Sequence, residues 1–186
     1  MEFKYRTKRL ENYCPIEIFT AKYVDVPQFT GYCKECPQYG KRWSCPPHAF
    51  DVMKFWKSFN TVHIIGTKII LGKAMRGITY STPGAADFLT AAFDTEKEKL
   101  LKLVWRLEKK NPGSIGLSAG LCDLCEKCAR EEGKPCRQPA RMRYLVESVG
   151  GNVADVSKDL LGTEIQWMVN DKIPDYYMLI CALLMK

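Results

Sequence analysis

The chain has 186 residues, of which 46% are hydrophobic and 26% charged, with a formal net charge of +7 and nine cysteines. That length suits one well-cored domain, and the charged share is that of a soluble globular protein. The N-terminus MEFKYRTKRLENYCP has no apolar signal-peptide core, and the longest apolar runs, residues 62–71 and 176–185, are too short to cross a bilayer, so a cytoplasmic protein with no membrane partner is expected.

Residues 1–47 are rich in Cys, Tyr and Pro and lack sustained periodicity, so they read as a loop-rich metal-binding wrap. Residues 51–58 (DVMKFWKS) suit a short helix capped by Asp51. The run VHIIGTKIIL at 62–71 is β-branched and nearly continuously apolar, which predicts a buried strand. Thr82 and Pro83 open a long helix in which Leu89, Phe93, Leu100, Val104 and Leu107 recur at helical spacing. Asp94-Thr95 is a candidate break in it, and Lys109 and Lys110 suit its negative end before Asn111-Pro112-Gly113.

A second strand is expected at 114–119, running into a cysteine segment at 120–139. A helix over 139–149 ended by Gly150-Gly151 follows, then one from the Asn152 cap to Gly162. Residues 163–169 and 176–185 read as final strands, in position to form a hairpin. This order predicts an α+β fold: a single domain over 1–186, with a mixed, largely antiparallel sheet of about four strands, packed helices and cysteine-rich metal-binding loops. The α+β core is expected over 59–186, with the second metal loop at 120–139.

In a reducing cytosol a dense cysteine pattern points to metal or redox chemistry rather than to disulfides. Cys122-x2-Cys125-x2-Cys128 wraps three thiolates around one object, and Cys136 arrives from further along the chain as a fourth. The repeated two-residue interval suits an iron–sulfur cubane, whereas zinc more often takes two separated Cys-x2-Cys pairs. The upstream group, Cys33-x2-Cys36-x8-Cys45-Pro46-Pro47, has only three cysteines. Its fourth ligand is left open between Cys14, His48, a residue of the other group and none. Cys181 lies in an apolar run and reads as core.

These residues resemble a family described as predicted metal-binding proteins, domain of unknown function 2284. The anchors are Cys33-x2-Cys36 with Tyr39-Gly40, Trp43-Ser44-Cys45-Pro46-Pro47, Gly120-x-Cys122-x2-Cys125-x2-Cys128, Cys136-Arg137-x-Pro139 and Glu147-x2-Gly150-x2-Val153. The resemblance implies metal binding, iron–sulfur in character, in anaerobic microbes, and it implies no reaction. The chain departs from the family's Pro-Ser-Met-Glu-Ala type sequence at Arg143-Tyr144-Leu145-Val146-Glu147-Ser148.

Other chemistry is poorly supported. GSIGLSAG at 113–120 lacks both a dinucleotide fingerprint and a P-loop ending. The two histidines, His48 and His63, form no readable triad. Trp43, Tyr39 and Tyr32 flank the first cysteine group and read as packing over it. Two oxidised cubanes with four thiolates each would lower the formal charge from +7 to about +3. The basic residues beside the cysteines, among them Arg42, Arg130, Arg137, Arg141 and Arg143, then read as a positive surround for anionic clusters, and no nucleic-acid partner is expected.

The expectation is therefore two [4Fe–4S] clusters on Cys33, Cys36, Cys45, Cys122, Cys125, Cys128 and Cys136, with Cys14 the candidate eighth ligand, serving electron transfer to a redox partner protein. The alternatives are an enzyme or maturation factor with an open iron at the first group, and a zinc-stabilised interaction module.

Overall fold

The computed structural model describes residues 3–186. In chain order its elements are β1 (Tyr5–Pro15), α1 (Ile16–Tyr23), α2 (Val26–Glu35), α3 (Val52–Lys57), β2 (Thr61–Leu71), α4 (Ala85–Lys110), β3 (Ile115–Leu117), α5 (Val153–Leu161) and β4 (Tyr176–Met185). The strands form one antiparallel sheet in the order β1-β2-β4-β3, with Ile65 of β2 opposite Cys181 of β4. The fold is α+β, as expected.

The two apolar runs lie at the centre of the sheet because both of their faces are covered. On one face, Ile65 and Cys181 pack with Leu100 and Val104 of α4. On the other, Val62, Ile64, Ala182 and Leu184 pack with Phe19 of α1, Trp56 of α3 and Val156 of α5. A strand buried on both sides loses the polar alternation of a half-exposed one, which explains the continuous apolar pattern. Gly66 sits where α5 crosses β2: a Cβ there would lie 2.6 Å from Leu161 Cδ1, so a side chain at this position would push the end of Leu161 aside.

Several boundaries differ from expectation. Residues within 1–47 hold a full edge strand and two helices rather than loops; Met1 and Glu2 lie outside the described residues. Strand β1 (YRTKRLENYCP) is charged and largely exposed, as suits an edge that must resist pairing with other chains, and the same charges hide its strand character. Helix α4 runs unbroken through Asp94-Thr95, with Gly84 rather than Thr82 at its N-cap.

The helix expected over 139–149 is replaced by irregular chain ending in a short 3-10 turn, Glu147–Val149. Its backbone groups are taken elsewhere: Tyr144 O accepts from Ser118 N at 2.8 Å, and Val146 O accepts from Gly151 N at 2.9 Å. The strand expected over 163–169 is absent: β4 pairs with β2 along one edge and with the short β3 on the other, and residues 163–169 join neither. Gln166 instead caps the start of β4, its Oε1 accepting from Asp175 N at 3.1 Å and Tyr176 N at 3.3 Å. The short helix capped by Asp51 and the helix between Asn152 and Gly162 form as expected.

Candidate metal centre

Beyond β3 the chain leaves the sheet at Gly120 and loops through the second cysteine group without regular structure, apart from a short turn at Ala129–Glu132. Cys122, Cys125, Cys128 and Cys136 all line one cleft, together with Trp43, Leu124, Arg137, Gln138 and Met142. The loop is held by its own polar groups. Gln138 Nε2 donates to Leu124 O at 2.6 Å and approaches Cys125 Sγ at 3.7 Å, and Arg137 donates to Lys127 O. Burial pushes the Cys122 thiol up; a backbone hydrogen bond at Leu124 opposes the shift, and Asp123, Cys128 and Cys136 add to it. The four thiols expected to act together are thus brought together.

The first group is built differently. Cys33 lies in the last turn of α2 and Cys36 is its C-cap residue, with Cys36 N donating to Cys33 O at 3.1 Å. The chain then turns so that Gly40 N donates to Pro46 O at 2.9 Å, which returns buried Cys45 to the pair. Gln38 N donates to Cys36 Sγ at 3.5 Å, and Ser44 Oγ lies 3.8 Å from Cys45 Sγ. Burial raises the Cys33 thiol first, and Cys45, Cys36 and Glu147 raise it further. Cys45 is likewise raised by burial, with its Ser44 hydrogen bond and then Arg42 and Arg130 pulling the other way.

Arginines bolt the two groups to each other. Arg130, from the second loop, donates to Arg42 O at 2.8 Å, Cys45 O at 2.6 Å and Pro47 O at 2.6 Å. Arg42, from the first, donates to Cys122 O at 2.6 Å. Trp43 carries the Arg130 guanidinium 5.0 Å from its ring centroid and donates from Nε1 to Lys134 O at 3.0 Å. Trp43 therefore reaches from the first group to the second loop, and Tyr32 is exposed and makes an edge contact with Phe29.

The remaining candidates are placed elsewhere. Cys14 is buried in the apolar cluster with Phe19, Tyr23 and Trp56, opposite Val62; burial raises its thiol, and Lys22 is the charged group that opposes the shift. His48 Nε2 donates to Ser148 O at 2.7 Å and its ring stacks on Phe50. His63 on β2 pairs with Glu11 at 3.0 Å. Arg143 forms a closely fitted ion pair with Glu108 of α4 at 2.5 Å, and with Arg141 it lines a small cleft that also includes Cys122. Arg141 lies over Trp105, 4.8 Å from its centroid.

Glu147, one of the family anchors, falls within the helix expected over 139–149 and carries no expected role there. Its residue surface is partly exposed, yet its Oε2 is closed off from solvent and has no hydrogen-bond partner among the described residues. Burial pushes its carboxyl up to about 7, against the opposing pull of its own backbone amide. The signal in the sequence was a lone acid in the apolar run Tyr144-Leu145-Val146-Glu147-Ser148-Val149.

Among the described residues, no group of three or more His, Cys, Asp or Glu is placed to hold a metal ion. A single tetrahedral zinc would need four donors about 2.3 Å from one point, whereas a multi-iron cluster spreads its thiolates over separate corners. The donor chemistry fits a thiolate-bound centre: sulfur-only cysteine sets, N–H groups directed at sulfur, and arginines beside the loops.

Cysteine-lined sites on an α+β scaffold define the class of a candidate thiolate metal protein. Residues 17–185 match the family described as predicted metal-binding protein (DUF2284), and the chain belongs to that family. No curated protein and no solved structure matches it. No helix among the described residues is long and apolar enough to cross a membrane.

Proposed function

We propose that this metal-binding protein carries two iron–sulfur clusters, read as [4Fe–4S], and passes single electrons to or from a partner enzyme in the cytoplasm of an anaerobic microbe. Cys122, Cys125, Cys128 and Cys136 would hold one cluster, and Cys33, Cys36 and Cys45 the other. The observation that carries this reading is the single cleft lined by all four cysteines of the second group, tied by Arg42, Trp43 and Arg130 to the first. When bound, such clusters supply reversible one-electron transfer at a potential set by charge, hydrogen bonding and exposure. This chain's own part is to hold the two sites adjacent, to direct N–H groups toward the thiolates and to place guanidinium charge beside them.

Anaerobic purification tests the reading. A brown protein with iron and acid-labile sulfide in equal amounts and a broad absorption band near about 400 nm is expected. A colourless protein with zinc would replace it by the zinc-stabilised interaction module. A second reading, an enzyme or maturation factor that binds a small molecule at the first centre, is favoured by one observation: that group gathers three cysteines, while Cys14 is packed in the core.

A further inference from the structure

We infer that Glu147 supplies the fourth ligand of the first cysteine group, giving that centre one carboxylate oxygen beside the thiolates of Cys33, Cys36 and Cys45. The inference rests on the metal-centre reading above and deepens it.

A carboxylate oxygen sealed from water without a hydrogen bond is an unusual thing for a fold to retain, because burying a polar group uncompensated is costly. No cationic side chain is among the groups that shift its proton affinity. The turn that carries Glu147 lies against both parts of the first cysteine group: Gly150 abuts Val26 of α2, the helix with Cys33, and Ser148 O accepts from His48, three residues after Cys45. An acid with a sealed, unpartnered oxygen beside thiols makes sense when a metal cation joins them, since the cation favours the ionised form of each donor.

The surrounding structure also holds Glu147 in place. The 3-10 turn Glu147–Val149 is pinned by two side chains: His48 donates to Ser148 O at 2.7 Å, and Trp56 Nε1 donates to Val149 O at 2.7 Å. Gly150 follows with φ +85°, and a Cβ there would lie 2.9 Å from Val26 Cα, so the turn is pressed against the start of α2, the helix that carries Cys33. Asp25 N donates to Gly150 O at 2.9 Å, and Asn152 N donates to Tyr23 O at 2.7 Å, fixing both sides of that contact. The other candidates are spoken for: His48 uses Nε2 on Ser148 O, and Cys14 lies in the apolar core.

A carboxylate is a harder donor than a thiolate and a weaker partner for iron in a sulfur-rich centre. The first centre would therefore have one exchangeable position and the second none. The ligands enter as anions, and any protons they carry leave to solvent.

The test uses the full chain loaded anaerobically with iron and sulfide. Glu147→Gln keeps the size of the side chain and removes the anionic donor; about one iron in eight should be lost, with a three-iron signal in electron paramagnetic resonance after mild oxidation. Glu147→Cys should retain the full load. Cyanide should perturb the wild-type spectrum and leave that of Glu147→Cys unchanged. A Glu147→Gln protein with wild-type iron, sulfide and spectra overturns the inference alone, whereas a wild type that takes up no iron overturns the iron–sulfur reading and this inference with it. Should Glu147→Gln fail to fold, Glu147→Cys decides: cyanide sensitivity equal to that of the wild type overturns the inference.

Discussion

The two cysteine groups reach the same kind of site by opposite routes. The second is local: four thiols within one irregular loop line one cleft, and the loop's own Gln138 and Arg137 hold its turns. In the proposed first centre the parts are distant in the chain: a helix end, a folded-back loop, and an acid more than a hundred positions later whose Oε2 is closed off from solvent. A local site should fail locally when damaged. An assembled one should fail whenever any of its remote supports moves.

The largest effect is expected from Cys125→Ser. It removes one thiolate from the local site, so about half of the iron and sulfide should be lost together, because clusters bind as units and metal binding is coupled to folding of the loop. Metal analysis with circular dichroism checks this; a full load in a folded Cys125→Ser protein would count against a shared centre. Arg130→Ala should come next. It removes a guanidinium that holds three carbonyls across the two groups, which should cost about 2–4 kcal/mol in denaturant unfolding and weaken loading of both sites.

Gly150→Ala separates the two routes. It places a Cβ against Val26 at a backbone angle that disfavours L side chains, so a loss of about 1–3 kcal/mol is expected. The turn carrying Glu147 should shift, so the first centre should load poorly while the second loads normally. Equal loss from both sites would show that they are not independent. In the metal-free protein at pH 8, Glu147→Gln should raise the melting temperature by about 2–6 °C, since it removes an uncompensated buried charge. The smallest effect belongs to Cys14→Ala: about 1 kcal/mol for a small cavity in the core and no change in metal content. Iron lost from the first group in that variant would return Cys14 to the ligand set.

What could be read before folding follows from how far each signal travels along the chain. The central strands, the helix between Asn152 and Gly162, the short helix at Asp51 and the grouping of Cys122 to Cys136 are all written in neighbouring residues. Apolar runs, capping side chains, left-handed glycine and short thiol intervals carry their physical cause with them.

Tertiary structure decided the rest. Strand β1 is a strand because β2 offers it an edge, although its own residues are charged. Residues 163–169 are not a strand: the sheet takes β2 and β3 as the partners of β4, and Gln166 caps its start instead. Arg143 answers to Glu108, and Arg130 to three carbonyls of the first loop. Glu147 acquires its unusual position only when α2, His48 and Trp56 close around its turn. Hydrogen-bond partners and burial depend on which distant segments meet, and in this chain that meeting turns three cysteines and an acid into a candidate centre.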